Sequence, residues 1–175
     1  MLLSACNNSK YDLENLVPQE YHKILYVNNS GKQEMTLYDT GEDYTYTLSV
    51  IKTGSDPTLT ANAQINVLSQ EEVDQLYSNP EAVNYKVLSE ESFSLETADL
   101  VFTSEDHSRS VNVSVNSTKV KALIESNPEA KWVLPLRVTS QTDSVNAAKN
   151  ELFLHKVFAL VAQSVDAKPA TVHKD

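Results

Sequence analysis

The chain has 175 residues, 41% of them apolar and 22% charged, which is enough to bury one core and is not the composition of a disordered polymer. A net charge of −10 without any cluster of Lys or Arg excludes a phosphate-binding surface, so nucleic acid is not an expected partner. The single cysteine excludes an internal disulfide and a thiolate metal cluster, and no apolar run approaches the roughly 20 residues of a membrane-spanning helix.

Residues 7–20, NNSKYDLENLVPQE, are polar and follow no period, and with the six residues before them they read as a leader and tether (1–20). From Tyr21 the pattern becomes short β-like runs divided by turn residues. YHKILYVN (21–28) precedes the turn NSGK, and QEMTLYD (33–39) precedes TGED. YTYTLSV then alternates, placing Tyr44, Tyr46, Leu48 and Val50 on one face and Thr45, Thr47 and Ser49 on the other, as in a half-buried strand. The chain's three glycines, Gly31, Gly41 and Gly54, fall in the three turns around these runs.

NAQINVL (62–68) is a further strand. In the next segment Ser69 and Glu72 form a capping box, and Val73, Leu76 and Tyr77 follow at the spacing of a helix face, with Asn79-Pro80 as the stop. NYKVLSEESFSLE reads as an extended crossover, DLVFTS (99–104) and SVNVSVN (110–116) as strands. STKVKALIESNP is a second short helix with Val120, Leu123 and Ile124 on one side, and KWVLPLRVTS (131–140) and NELFLHKVFALV (150–161) supply the last strands. Residues 162–175 read as a loose polar tail.

Seven to nine strands and two short helices, without strand–helix alternation, predict an all-β fold: an immunoglobulin-like antiparallel β-sandwich over 21–161. The competing architecture is an α+β domain whose helices cover one open sheet.

No residue earns a catalytic assignment, and no cofactor is expected. His22, His107, His155 and His173 lack metal-ligand spacing, and the adjacent Asp106, His107 and Ser108 cannot form the linear relay of a hydrolase triad. A hydrolase built on a carboxylate pair stays the least favoured reading, because the acids are scattered. Asp39, Glu42 and Asp43 are a weak candidate for a hard cation, and an acidic hairpin turn is the preferred reading. Tyr38, Tyr44 and Tyr46 are candidate glycan contacts, with Tyr38 the best candidate for an exposed ring; the competing assignment puts Tyr44, Tyr46 and Trp132 in the core.

LSAC (3–6) resembles a bacterial lipobox, which implies lipidation of Cys6 after removal of the residues before it. Only MLL precedes the box, so the complete precursor is expected to start further upstream. Several acyl chains anchor stably, which implies a membrane partner and a place in the cell envelope, at the outer membrane or cell surface.

The ordered set INVLSQEEVDQLYSN, YKVLSEESFSLET, SVNVSV and WVLPLRVTSQTDSV resembles an N-terminal domain of unknown function from Bacteroidetes surface lipoproteins, over roughly residues 22–160. Ser89, Phe93 and Trp132 stand where that family's pattern has a proline, a tyrosine and another aromatic. The resemblance implies an immunoglobulin-like sandwich without catalytic residues, often placed before endo-acting glycosidase or lectin-like modules. Asp143-Ser144-Val145 also resembles an O-glycosylation acceptor of these bacteria, with sugar on Ser144. The expected role is therefore a lipid-anchored spacer or interaction module in a glycan-handling surface system, with a glycan or another surface protein as partner. A carbohydrate-binding module is the alternative.

Overall fold

The computed structural model describes residues 16–38, 40–77 and 83–159. After a 3₁₀ turn at Gln19–Tyr21 come β1 (Ile24–Val27), β2 (Gly31–Tyr38), β3 (Asp43–Thr53) and β4 (Ala61–Val67). Helix α1 (Gln70–Tyr77) leads to β5 (Tyr85–Val87), and after a second 3₁₀ turn come β6 (Phe93–Leu95), β7 (Asp99–Phe102) and β8 (Ser108–Asn116). Helix α2 (Ser117–Ser126), β9 (Lys131–Thr139), β10 (Ser144–Val145) and β11 (Glu151–Ala159) complete the described residues.

The strands form two sheets. The first runs β10-β1-β3-β8-β6, the second β2-β11-β9-β4-β7 with β5 added against β9. The all-β sandwich expected from the strand pattern is what forms, with the segment after α1 crossing between sheets: β5 belongs to the second and β6 to the first. Two features differ from expectation. Eleven strands are described, because β5, β6 and β10 have only two or three residues each and carry no readable period. The sandwich is also not antiparallel throughout: β1–β10, β2–β11 and β5–β9 are parallel pairs.

Alternation explains the core. Leu48 and Val50 of β3, with Val111, Val113 and Val115 of β8, face Leu134 and Leu136 of β9 and Leu152 and Leu154 of β11 across the sandwich. β9 and β11 are buried on both faces. Val133 and Phe153 point away from this core into a second cluster with Leu68 and Val73, closed by Tyr77, Tyr85 and Val87. Such strands read as nearly continuous apolar runs, as KWVLPLRV does.

Pro135 sits in the middle of β9, where a missing N–H would ordinarily break a ladder. On one side, however, β9 pairs with β5 only through Lys131–Val133 and with β4 only from Leu136. Pro135 falls where one neighbour has ended and the other has not begun, and its carbonyl accepts from Leu68 N at 3.0 Å.

Both helices are capped at their N-termini, the first by the box that its sequence predicts. The Ser69 hydroxyl and the Glu72 carboxylate serve each other's backbone N–H groups at 3.3 and 2.9 Å. Asn116 caps α2 by accepting from Lys119 N at 2.9 Å. On α1, Val73 is buried and Tyr77 half-buried, but Leu76 is exposed. The helix meets the sheet along the narrow i, i+4 line of Val73 and Tyr77, so Leu76 turns to solvent. The stop at Asn79-Pro80 lies outside the described residues. None of the helices among the described residues is long and apolar enough to cross a membrane.

Candidate functional site

Three clefts meet around the segment that follows β9. One, of about 400 Å³, is lined by Gln19, Glu20, His22, Lys23, Leu59 and Thr142 together with Asp143 and Ser144. A second, of about 300 Å³, lies between Asn62, Gln64, Asp99 and Gln141, and the third, of about 330 Å³, beside Tyr21 and Ser144. Asp143 lines the first of them. Its side chain is 1% exposed and is ion-paired through Oδ1 with the Lys23 ammonium. Its Oδ2 accepts from Asn62 N at 2.8 Å and from the Thr142 hydroxyl at 3.0 Å. Burial by itself would raise its pKa, but the Lys23 ammonium, the Asn62 N–H and the Thr142 hydroxyl outweigh burial and hold it below the usual carboxylate value.

A carboxylate with a depressed pKa contributes stability that is complete above the unfolded value and lost as pH falls through the folded one. Asp143→Ala should therefore lower stability by about 2 kcal/mol at neutral pH, discounted because Lys23 is partly exposed. The gap between wild type and variant should narrow below about pH 4. Urea melts at pH 7 and pH 3 measure both effects.

Beside Asp143, Ser144 is half-buried in β10 and pairs with Ile24 of β1. The entering chain is strapped to the same end: Ser55 N and Asp56 N donate to Tyr21 O and His22 O at 3.1 and 2.8 Å, and His22 Nε2 pairs with Val17 O at 2.9 Å. Lys52, 2% exposed, lies under these loops and donates to Leu59 O at 2.9 Å and Thr103 O at 2.6 Å. This buried lysine and the Asp143–Lys23 pair escaped the sequence reading. Their partners are remote in sequence, and only the placement of Lys52 on the inward face of β3, in register with Leu48 and Val50, could have signalled the first.

A second polar cluster ties α1 to the outer face of the second sheet. Arg137 Nη1 contacts Glu72 Oε1 at 2.9 Å and Nη2 contacts Glu151 Oε1 at 2.7 Å, while the Tyr77 hydroxyl donates to Glu151 Oε2. Burial pushes the Tyr77 phenol well above its ordinary value, and the Glu151 carboxylate adds to that. Tyr77 and Tyr85 pack on Phe153 with ring centroids at 4.3 and 5.2 Å, and the Lys32 ammonium sits 5.3 Å from the Tyr85 centroid. The Val73, Tyr77 and Tyr85 positions of the family-like motifs thus build the helical cap of the sandwich, while Leu88 joins the main core.

The three candidate tyrosines do not share one face. Tyr38 is exposed on the outer side of β2, opposite the buried Met35 and Leu37. Tyr44 and Tyr46 lie on the inward-facing side of β3, in line with Leu48 and Val50. Tyr44 is exposed although it pairs with the buried Val115, and Tyr46 packs against the core from its margin, as Trp132 does. Asp43 Oδ1 accepts from Asn116 Nδ2 at 2.7 Å, Glu42 is exposed, and Asp39 lies outside the described residues. Asp106 turns away from His107 to accept from Thr103 N and its hydroxyl at 2.7 and 2.8 Å. The side chain of His155 and all of Cys6 and His173 lie outside the described residues.

The fold is similar to those of several Bacteroides proteins. A Bacteroides ovatus protein described as a candidate for carbohydrate binding matches with a TM-score of 0.60 at 18% identity, over 75% of this chain and 36% of that one. A two-domain Bacteroides fragilis protein of unknown function matches with a TM-score of 0.56 at 10% identity, over 85% of this chain and 49% of that one. EndoBT-3987 of Bacteroides thetaiotaomicron, solved with a Man5GlcNAc product, matches with a TM-score of 0.50 at 9% identity, over 71% and 28%. The chain thus spans half or less of the length of each, and these likenesses speak for the fold. No curated protein matches the chain. A family model described as a "-like, N-terminal domain" matches residues 8–145, and the chain belongs to that family of N-terminal domains.

Proposed function

We propose that this is a non-catalytic, lipid-anchored spacer or interaction domain of the bacterial cell envelope, serving a glycan-handling surface system. The observation that carries the spacer reading is where the chain enters and leaves the sandwich. Ile24 pairs with Thr53, the last residue of β3. Ala159 pairs with Tyr38, which leads through a four-residue turn to Asp43, the first residue of β3. The start of β1 and the end of β11 therefore lie at opposite ends of an 11-residue strand, about 35 Å apart at roughly 3.3 Å per residue. A domain threaded end to end adds its full length between whatever precedes and follows it. The use of the family-like motif residues in packing supports a structural role in the same way.

The anchor is Cys6, followed by the polar stretch 7–20 as tether, and the place of action is the outer membrane or cell surface. Ser144 is the proposed O-glycosylation position. Labelling cells that express the full precursor with a fatty acid should mark the protein, and Cys6→Ala should abolish the label; an equally labelled variant would overturn the anchor. Glycan contact is the competing reading. A glycan affinity of the purified domain that falls with Tyr38→Ala and Tyr44→Ala would favour it, although the two rings face different ways.

A further inference from the structure

We propose that the domain is built to carry tension along the chain, with β2 and β11 as the load-bearing pair. These strands are parallel and stay in register over eight consecutive pairs, from Gly31↔Leu152 to Tyr38↔Ala159. The chain arrives at Gly31 from the entry end and leaves β11 at Ala159 at the opposite end. Tension pulls β2 towards its first residue and β11 towards its last. In a parallel pair those pulls are opposed along one axis, so every backbone rung is loaded in shear and the rungs fail together. Two strands pulled from a shared end are instead peeled apart one rung at a time.

The surroundings reinforce the pair. β11 cannot slide without taking Leu152 and Leu154 out of the main core and Phe153 out of the cluster beneath α1, and β9 holds its far edge. At the entry end, β1 is itself pulled along its axis against β3 and β10, and the Lys23–Asp143 ion pair lies directly in that path. Loss of β1 would pass the same load to β2 and β11 without changing its direction. The inference rests on the spacer reading only in supplying a reason for tension; the direction of loading follows from the strand order.

Single-molecule stretching of the Cys6→Ala chain between reference domains tests it. Pulled through its two termini, the domain should unfold at a force at least about twofold higher than when pulled, at the same speed, through Thr40→Cys and the C-terminus. The second geometry opens β2 and β11 from their shared end, and Thr40 is exposed, its hydroxyl accepting only a long, exposed bond from Glu42 N at 3.3 Å; a melt of the variant checks that the fold is kept. Equal forces, or a lower force through the termini, would overturn the proposal. A failure of fatty-acid labelling would sink the anchor and leave this result standing.

Discussion

Gly54→Ala should destabilise the domain by about 3 kcal/mol, through backbone strain and a contact that cannot relax cheaply. Gly54 has φ of +134°, and a Cβ there would lie 2.3 Å from the His22 carbonyl oxygen and 2.8 Å from that of Tyr21. Those are backbone atoms held by the Ser55 and Asp56 N–H groups, so the new methyl must break the strap that fastens the entering chain to β3. At roughly 2–4 °C per kcal/mol for a domain of this size, the melting temperature should fall by about 10 °C. Gly41→Ala is the control. Its φ of +78° also disfavours a side chain, but nothing lies within 4 Å of the added Cβ, and a cost of about 1 kcal/mol is expected. Equal melting temperatures for the two variants would show that the strap contributes little.

Phe153→Ala should cost about 3–5 kcal/mol, the usual range for removing a buried phenylalanine. The ring is 1% exposed and is the surface on which Tyr77 and Tyr85 stack. Its loss opens a cavity between β11 and α1 and weakens the hold on Tyr77, whose hydroxyl is bound to Glu151 of the same strand. Hydrogen exchange should therefore show lost protection concentrated in Gln70–Tyr77 and Tyr85–Val87, with the β3–β8 ladder affected only through the global loss of stability. A uniform loss across both sheets would mean that the cap is not a separate layer.

These two sites show what the sequence could and could not disclose. The Ser69–Glu72 box and the alternation of Tyr44 to Val50 are legible because their physics is local: three residues, or a period of two. β9 and β11 are legible as strands, but burial on both faces shows only as a nearly continuous apolar run, a sign that a buried helix segment shares. Leu76 was assigned to the contact face because spacing gives the face but not its width. The parallel pairs were hidden, because β2 and β11 meet only through the packing of the whole domain. At the candidate site, residues 142–145 read as an acceptor for sugar on Ser144, while their chemical weight lies in the buried Asp143. That carboxylate is explained by Lys23, some 120 residues earlier, and no short pattern links them.

The pairing of Gly31–Tyr38 with Leu152–Ala159 also sets the timing of folding. A chain released from its N-terminus can form the β1–β3 contact early, since only β2 lies between those strands in sequence. The second sheet must wait. Until residue 151 and its successors emerge, β2 lacks its ladder and one edge of β9 stands open, with Leu37, Leu134 and Leu136 still wet. Closing a contact of such sequence separation is slow, and half-made sheets with bare edges invite mispairing. The second sheet is therefore completed only when β11 arrives, and any chain interrupted before that strand leaves β2 without its partner.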